Sequence, residues 1–525
     1  MPERIVSCLF LAVFLFQGFN SRSQQPTDAS RLDRPLRIEI PARSIDETYR
    51  VIPVDTTGVL LCFRSVETVH DSMTKWYFSL YNKNLHLLWV KSIPVRTGLE
   101  FHDYVREKEK ITFLFLATDK AKGLTFTETI LKLDCRSGIF TGIQNLSINN
   151  LGSVRCLVSG DSLFLGYTTK DKASYLQIIN LASGKSEFHP LTSSEVISAL
   201  TSFILDTINN TIYATIRKSV SKTNTECKLL KLNYSGAILS ETDIDVVDPG
   251  WEIRSPQLIL TDPDEILVLA MYAASKGKSS GKSTNLNSTS GFYTCRVKNG
   301  IQSDIRFRTF LELNSSGQII GDKDMMTLRK KAMKKNRAFT EYAPEINVLT
   351  HPVICYQDQY IFIGERYIPE YHSENLTEFD FYGRPYINTY SVFDGYNYTV
   401  AIIASFDESG NLRWDNSMEI RNLISPELAP RTNVYFSSPG TMVLCYSSEG
   451  RIASKIIRGN EVVEKLDFSS IDLMNAEDKM LSDSKNNMMS WFGPYFLCYG
   501  YQEIKNINAS DKKRLVYYFT KVRFE

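Results

Sequence analysis

The stretch "ASFDESGNLRWDNSMEI", residues 404–420, joins two apolar runs through a short polar turn. The turn carries Ser409 and Gly410, and glycine supplies the positive φ angle that a tight hairpin turn requires. Asp407 stands just before the turn, where an aspartate side chain commonly accepts hydrogen bonds from the turn backbone. The pattern predicts a β-hairpin, and we interpret Asp407 as a turn residue rather than a metal ligand.

Similar hairpins recur along the chain in two kinds. The first kind joins two apolar runs and ends near a small residue, and its copies are residues 51–63, 105–117, 154–167, 201–216, 256–272, 352–365, 434–446 and 488–500. The second kind has a strand, an Asn or Asp, a turn usually with Ser-Gly, and a new strand, as in residues 78–89, 130–140, 177–185, 229–238, 310–319 and 404–414. Two hairpins in series make a four-stranded unit that repeats mostly every 46–60 residues.

A four-stranded unit repeated at this period is typical of the blades of an all-β propeller. Eight hairpins of the first kind predict eight blades, with seven as the alternative. Small residues such as Cys62, Gly166 and Ala214 share one position, where converging strands leave little room for side chains. The last blade lacks an outer strand, and we expect "LRIEI", residues 36–40, to fill this place and close the ring.

The composition and the N-terminus indicate an exported protein. Residues 1–23 combine a basic residue, an apolar run and a small-residue cleavage site, which predicts a secretory signal peptide. No later segment is apolar enough to predict a membrane span. The 60 basic and 59 acidic residues balance, so no overall field attracts nucleic acid. We therefore expect a single propeller domain over residues 24–525, in a periplasmic or extracellular location.

Eight cysteines remain after the predicted signal peptide. An even number in an exported protein is compatible with disulfides. However, no two are close in sequence, and Cys62, Cys445 and Cys498 occupy the shared small-residue position. We favour buried, unpaired cysteines over two or more bridges.

Insertions interrupt the repeat at about residues 275–291, 320–345 and 366–399. The first is rich in Gly, Ser and Lys and predicts a mobile loop. The second contains a predicted helix over residues 322–339, in which six basic residues are concentrated between Arg329 and Arg337. We favour a solvated helix packed through Met326, Leu328 and Met333 over an anion-binding patch.

The stretch at residues 404–414 resembles the blade motif of quinoprotein-like propellers. In that motif an alanine, an aspartate, a turn with glycine and a tryptophan recur, and Ala404, Asp407, Gly410 and Trp414 take comparable places. The resemblance implies the fold, in a superfamily that includes quinone-dependent dehydrogenases and non-catalytic scaffolds. The chain has no CxxCH motif and no adjacent cysteine pair, so we expect no cofactor.

The third insertion is the most informative stretch for function. Ten of the 32 residues from Tyr367 to Tyr398 are aromatic, against 12% for the whole chain. Tyrosines beside arginines and carboxylates suit the binding of a protein partner or a glycan, whereas the structural alternative is a small satellite core over the propeller. The candidate binding residues are Glu365, Arg366, Tyr367, Tyr371, His372, Tyr382, Arg384 and Tyr386.

A propeller enzyme is the alternative function. A glycan-active hydrolase or lyase, or a quinone-type oxidoreductase, would use the central channel, with Glu365 and Asp380 as candidate acid and base of a hydrolase. The six histidines are scattered, and neither HxH nor HExxH occurs, so no metal site is expected. We favour a non-catalytic binding protein.

Overall fold

The computed structural model describes residues 36–70, 72–117, 126–148, 151–169, 172–193, 196–220, 225–246, 250–274, 287–335, 344–506, 508 and 512–524. In this part of the chain the strands form eight antiparallel sheets, which follow one another around a ring. The strands are numbered here in chain order, and the sheets are numbered 1 to 8 in the same direction. The predicted signal peptide, residues 1–23, lies outside the described residues.

Sheets 1 to 4 each consist of four consecutive strands. Sheet 1 contains β2 (Arg50–Val54), β3 (Gly58–His70), β4 (Met73–Tyr81) and β5 (Leu87–Arg96). Sheet 2 contains β6 (Leu99–Glu107), β7 (Lys110–Ala117), β8 (Phe126–Asp134) and β9 (Ile139–Ile148). Sheet 3 contains β10 (Leu151–Ser159), β11 (Ser162–Thr169), β12 (Ser174–Asn180) and β13 (Ser186–Pro190). Sheet 4 contains β14 (Ser198–Asp206), β15 (Thr211–Ser219), β16 (Thr225–Asn233) and β17 (Ile238–Ile244).

Sheets 5 to 8 complete the ring and include one irregular sheet. Sheet 5 contains β18 (Trp251–Asp262), β19 (Glu265–Ala274), β21 (Gly291–Lys298) and β22 (Ile301–Thr309). Sheet 6 contains β20 (Ser288–Thr289), β23 (Ile346–Thr350), β24 (Ile354–Tyr356), β25 (Gln359–Phe379), β26 (Pro385–Phe406), β27 (Leu412–Glu419) and β28 (Ile424–Ser425). Sheet 7 contains β29 (Asn433–Ser438), β30 (Thr441–Ser448), β31 (Arg451–Arg458) and β32 (Glu461–Ser470). Sheet 8 contains β33 (Lys479–Phe492), β34 (Tyr495–Lys505), β35 (Lys513–Arg523) and β1 (Arg37–Pro41).

The fold is the predicted all-β propeller, and the number of regular blades needs a correction. Each of the eight predicted first hairpins lies in a different sheet. Seven of these sheets are regular four-stranded blades, which is the alternative count, whereas sheet 6 has seven strands. It departs from the regular blade because β25 and β26 are far longer than the other strands and because short strands pair along their margins.

The hydrophobic core lies between successive sheets. Trp76 and Phe78 of sheet 1 pack against Phe113 and Phe115 of sheet 2, with ring centroids 5.0–5.4 Å apart for the closest pairs. Second strands such as β30 are buried on both faces, because each face packs against a neighbouring sheet. Outer strands such as β32 are mostly exposed. This arrangement explains why the second strand of each unit is a nearly continuous apolar run.

The predicted closure of the ring is confirmed. Strand β1 pairs antiparallel with β35, from Arg37 opposite Thr520 to Pro41 opposite Val516. A further apolar cluster joins sheet 8 to sheet 1, where Val59 and Leu61 pack with Leu497. The N-terminal strand therefore completes the sheet formed by the C-terminal end of the chain.

The turn residues of three second hairpins act as the repeat predicts. The Oδ1 atom of Asp407 accepts hydrogen bonds from the backbone N–H groups of Ser409 and Asn411, both at 2.9 Å. Asn180 and Asn233 do the same in the equivalent turns of sheets 3 and 4. The interpretation of Asp407 as a turn residue is confirmed.

The shared small-residue position is a close contact between sheets. A Cβ atom added at Gly166 would lie 2.4 Å from Leu200 Cδ2 and 2.9 Å from the Phe203 ring. Cys62, Cys445 and Cys498 are buried at this position, as expected. Three further cysteines are buried, but Cys156 is half-buried and Cys355 is exposed, so burial does not hold for all eight.

Four helical segments lie in the described chain, and two of them replace the hairpin that the sequence predicted over residues 310–319. The 3₁₀ helices are Asp55–Thr57 and Phe310–Glu312, and the α-helices are α1 (Ser316–Ile320) and α2 (Asp322–Lys335). Helix α2 confirms the predicted helix as far as Lys335, but its contact residues need a correction. Met325 and Leu328 pack against the core, whereas Met326 and Met333 point to solvent because they lie on the other side of the helix. Residues 275–286 of the predicted mobile loop lie outside the described residues.

No helix in the described part of the chain is both long enough and apolar enough to cross a membrane.

Candidate interaction surface on a projecting ribbon

Strands β25 and β26 extend beyond sheet 6 as a two-stranded ribbon. Within the sheet, β23 pairs with β25 as far as Arg366, and β27 pairs with β26 from Val400 onward. Beyond the short contact of β28 at Tyr396 and Asn397, the described residues include no further strand along either margin. We call residues 371–393 the ribbon. Its register is unbroken from Tyr371 opposite Phe393 to Phe379 opposite Pro385.

Local geometry fixes both ends of the ribbon. At its base the register shifts between Glu370 and Tyr371, and Gly395 has a φ of 149°. A Cβ atom at Gly395 would lie 2.8 Å from the Ser425 carbonyl oxygen, so glycine lets β28 approach closely there. At the tip, the Oδ1 atom of Asp380 accepts hydrogen bonds from the backbone N–H groups of Tyr382 at 2.9 Å and Arg384 at 2.8 Å.

One face of the ribbon carries no charged side chain. Because side chains alternate across a strand, every second cross-strand pair points to the same face. The pairs on this face, which we call the uncharged face, are Tyr371 with Phe393, Ser373 with Ser391, Asn375 with Thr389, Thr377 with Ile387, and Phe379 with Pro385. Tyr371 is 60% exposed, Phe393 39%, Phe379 67% and Ile387 72%. Large apolar side chains therefore lie in solvent along the length of this face.

The opposite face carries the carboxylates, and we call it the acidic face. Its cross-strand pairs are His372 with Val392, Glu374 with Tyr390, Leu376 with Asn388, and Glu378 with Tyr386. The Glu378 carboxylate accepts hydrogen bonds from the hydroxyl groups of Tyr390 and Tyr386 and from the Asn388 amide. These bonds, that of Tyr390 first, lower the pKa of Glu378 and keep it ionised. The face is therefore negatively charged and internally hydrogen-bonded.

Each end of the ribbon carries further polar or aromatic side chains. The His372 Nδ1 atom lies 2.5 Å from Asp394 Oδ1 near the base. At the tip, Phe381 is 97% exposed, Tyr382 is nearly as exposed, and the Arg384 guanidinium lies 5.8 Å from the Tyr382 ring centroid. The tip thus presents two aromatic rings and one cation to solvent.

Glu365 lies in the core, where its partners satisfy it. Its carboxylate accepts hydrogen bonds from the backbone N–H groups of Arg431, at 2.9 Å, and Thr432, and His351 Nε2 lies 3.1 Å away. Burial raises the pKa of Glu365, but His351 and the Thr432 N–H outweigh this effect, so the net shift is downward. Glu365 is therefore a structural anion inaccessible to solvent.

Arg366 and Tyr367 also have partners inside the protein. The Arg366 guanidinium donates to the backbone carbonyls of Ile319 at 2.8 Å and Ile320 at 3.2 Å, at the C-terminal end of α1. The Tyr367 hydroxyl accepts a hydrogen bond from the Asn287 amide at 2.9 Å, and its ring is buried. These two side chains connect sheet 6 to α1 and to Asn287.

The structure thus divides the eight candidate residues. Tyr371, His372, Tyr382, Arg384 and Tyr386 lie on the ribbon, and the other three lie at or below its base. The sequence prediction missed Phe379, Phe381, Ile387 and Phe393, which expose large apolar surfaces. Alternation along each strand was the signal that could have identified them.

The structure does not bring the two candidate catalytic carboxylates together. Glu365 lies in the sheet and Asp380 at the ribbon tip, fifteen positions further along one extended strand. At ~3.3 Å per residue this separation is on the order of 50 Å, far beyond the ~5–10 Å of a glycosidase pair.

Two groups, the Tyr499 phenol and the Cys156 thiol, have pKa values shifted away from neutrality. Burial raises the pKa of Tyr499 to about 12, although the nearby Arg431 and Arg50 guanidinium groups lower it. Burial also raises the pKa of the Cys156 thiol, which lies 3.4 Å from Asp103 Oδ2. These shifts keep the phenol and the thiol protonated, so neither group is an activated nucleophile.

The similarity of this chain to known proteins is confined to distant structural resemblances. No protein-family model matches the chain, and no curated protein matches its sequence. Among solved structures, polysaccharide lyase Uly1 has 9% identity and a TM-score of 0.38, over 80% of this chain and 89% of that one. The β-propeller domain of the Trilobed protease from Pyrococcus furiosus has 10% identity and a TM-score of 0.33, over 81% of this chain and 98% of that one.

A third similar structure is a puromycin-hydrolysing peptidase of Mycobacterium tuberculosis. It has 8% identity and a TM-score of 0.37, over 80% of this chain and 53% of that one. Similarity at this level assigns no activity, substrate or partner to this chain. The sheets and their closure define its class, an all-β propeller, from which a two-stranded ribbon projects.

Proposed function

We propose that this chain is an exported, non-catalytic propeller that binds an envelope protein through the ribbon. The observation that carries the proposal is the uncharged face. It exposes Tyr371, Phe379, Ile387 and Phe393 on two continuously paired strands. Exposed apolar surface of this kind is costly in water and marks interaction sites in soluble proteins. Non-catalytic scaffolds also occur in the quinoprotein-like superfamily that residues 404–414 resemble.

A protein partner suits the uncharged face better than a glycan does. Glycan binding combines aromatic stacking with hydrogen bonds to sugar hydroxyl groups, for which carboxylates and arginines are the usual partners. On the ribbon the two glutamates lie on the opposite face, where Glu378 already bonds Tyr386 and Tyr390. Apolar side chains among Ser, Thr and Asn suit the centre of a protein interface, from which charged residues are depleted.

The first test uses two matched double variants of the mature chain. Phe379→Ala with Ile387→Ala removes two exposed side chains of the uncharged face. Leu376→Ala with Val392→Ala removes two aliphatic side chains of the acidic face. The tagged wild-type chain first captures a partner from the envelope fraction of its own cells. The purified partner is then titrated against all three proteins.

We expect the uncharged-face variant to weaken binding at least tenfold, because truncating central interface residues costs about 2 kcal/mol or more. The acidic-face variant should bind within a factor of two to three of the wild type. Equal loss in both variants, or in neither, would overturn the assignment of the uncharged face. Circular dichroism and thermal unfolding of each variant verify that the propeller remains folded.

A glycan in place of a protein is a separate outcome of the same experiment. Retention of the wild-type chain on envelope polysaccharide, with no protein captured, would replace the proposed partner. Turnover of that polysaccharide would instead favour the enzyme alternative.

A further inference from the structure

The two margins of the ribbon differ in charge. On the β25 side, residues 371–379 include Glu374, Glu378 and His372. On the β26 side, residues 386–393 read "YINTYSVF", without a charged residue, a proline or a glycine. Natural proteins protect exposed strand edges with charged side chains, prolines or bulges. The register has no bulge between Tyr371 and Phe379, so the β26 edge lacks all three forms of protection.

The hydrogen-bond pattern shows which backbone groups face outward from this edge. At the tip, the Asp380 N–H donates to the Arg384 carbonyl at 3.0 Å, so this pair is a hydrogen-bonded one. In an antiparallel pair of strands, hydrogen-bonded and non-hydrogen-bonded pairs alternate. The pair of Asn375 with Thr389 is therefore non-hydrogen-bonded, and both backbone N–H groups point away from the ribbon. The same holds for Ile387 and Ser391 along the β26 edge.

We propose that the edge of residues 386–393 pairs antiparallel with the same edge of a second copy of this chain. The proposal rests on the function proposed above in taking the ribbon as the binding element. Antiparallel pairing of two identical strands is isologous and forms a closed two-fold dimer. The product is a four-stranded sheet that spans two propellers, with the β26 strands in the middle and the β25 strands outside.

Charge selects the β26 edge over the β25 edge for this pairing. Two β25 strands side by side would bring Glu374 and Glu378 of one copy near the same residues of the other, and like charges on neighbouring strands are destabilising. Two β26 strands bring together only uncharged side chains, among them Tyr390, Thr389 and Ile387. After pairing, the carboxylates lie along both outer strands and oppose further addition of copies.

The dimer also enlarges the uncharged face. One ribbon with two strands of about eight residues presents a face of roughly 250 Å², from ~27 Å of strand length and strands ~4.8 Å apart. Two ribbons side by side present about 500 Å², closer to the ~800 Å² that each partner of a stable complex usually buries. Pairing through the edge leaves this joint face open, so a dimer and a bound partner are compatible.

The test blocks one edge at a time with proline. Thr389→Pro removes an outward N–H on β26, and Asn375→Pro removes the matching outward N–H on β25. Both residues belong to one cross-strand pair, and both variants lose the same side-chain hydrogen bond, which joins Thr389 Oγ1 to Asn375 Oδ1 at 2.8 Å. The variants therefore differ in which edge is blocked. Sedimentation equilibrium of the mature wild-type and variant chains gives the dimer dissociation constants.

We expect a wild-type dimer, a dissociation constant at least tenfold weaker for Thr389→Pro, and an unchanged constant for Asn375→Pro. A wild-type chain that stays monomeric up to about 100 μM would overturn the proposal. Equal weakening in both variants, equal dimerisation in all three chains, or a larger effect of Asn375→Pro would also overturn the assignment to the β26 edge.

Failure of this inference is separable from failure of the proposed function. A monomer that still loses its partner on Phe379→Ala with Ile387→Ala keeps the ribbon as a binding element and removes only the dimer. A dimer that behaves as expected but captures no partner removes the proposed function and keeps the β26 edge as a self-association site.

Discussion

Glu365 is the residue whose role in the structure differs most from the role predicted from the sequence. Its fully buried carboxylate is held by the backbone N–H groups of Arg431 and Thr432 and by His351. Replacing it with glutamine removes the charge and puts an amide N–H group opposite backbone donors. Because leaving buried polar groups unsatisfied costs ~1–3 kcal/mol each, we expect Glu365→Gln to lower the free energy of unfolding by about 2–3 kcal/mol. Urea denaturation at pH 7 measures this loss.

The pH dependence gives a second check on the same variant. The folded-state pKa of Glu365 lies below its ordinary value of 4.5, so its ionised form stabilises the fold above about pH 4.5. This contribution disappears as the pH falls through the folded-state pKa. The difference between wild type and Glu365→Gln should therefore shrink below pH 4.5. A Glu374→Gln control on the exposed ribbon should show little difference at any pH, and a pH-independent gap for Glu365→Gln would contradict the assigned role.

Residue roles are predictable from sequence when the partners are near in sequence. Asp407 accepts hydrogen bonds from the backbone N–H groups two and four residues further along the chain, so its role in the turn was predictable from the local sequence. Glu365 binds a loop that begins more than 60 residues later, and no local pattern reveals this contact. Met325 and Met326 differ by one position, so a small error in helix phase exchanged the buried and exposed methionines.

At the scale of the element, the ribbon tip is held by one side chain. Asp380 accepts hydrogen bonds from two backbone N–H groups. The two strands of the ribbon pair with each other and with no other strand in the described chain. Asp380→Ala should therefore loosen the tip without destabilising the propeller. We expect amide hydrogen exchange in residues 376–388 to rise about tenfold, which corresponds to ~1.4 kcal/mol of lost local stability. The thermal midpoint of the whole protein should not change.

Asp380→Asn is the matched variant, because asparagine keeps the accepting oxygen. It should retain slow exchange at the tip. If the backbone amides of the tip exchange equally slowly in Asp380→Ala and Asp380→Asn, the Asp380 side chain does not hold the turn. If Asp380→Ala instead lowers the thermal midpoint, the ribbon and the propeller unfold as one unit.

The sequence located the ribbon but not its two faces. The density of aromatic residues between Tyr367 and Tyr398 identified an insertion with a surface role. The separation of charged and uncharged side chains depends on the cross-strand register, in which Glu378 lies opposite Tyr386 and Phe379 opposite Pro385. That register is fixed by the turn at Asp380 and shifts at Glu370. The sequence analysis predicted neither the turn nor the shift. Tyrosines and glutamates that alternate in sequence therefore looked like one mixed surface.

At the scale of the whole molecule, the repeat revealed the ring because each blade is a local unit. In sheets 1 to 5 and 7 both hairpins form within one continuous segment, so turn residues and apolar runs were sufficient to predict them. The sequence wrongly counted sheet 6 as an eighth regular blade, because some of the strands that make it irregular come from distant segments. Its β20 lies in the first insertion and β28 follows β27, and such pairings leave no periodic signal.

Ring closure rests on Arg37, the buried cation of β1. Its Nε atom lies 2.8 Å from Glu39 Oε1, its Nη2 atom donates to Gln502 Oε1 at 2.7 Å, and its guanidinium lies 4.2 Å from the Tyr518 ring centroid. Arg37→Ala leaves these buried groups without their partner, which typically costs ~3 kcal/mol. We expect urea denaturation to show this loss. Partial proteolysis should then release the N-terminal segment first, because β1 must leave β35 before sheets 8 and 1 separate.

Arg43→Ala is the control, since Arg43 is exposed just beyond the end of β1. Its effect on stability should stay within about 0.5 kcal/mol. Similar unfolding curves for the two variants would mean that the contacts of Arg37 contribute nothing to closure. A loss of stability in Arg37→Ala with unchanged proteolysis would mean that closure depends on the backbone pairing of β1 with β35 and on the apolar cluster between sheets 8 and 1.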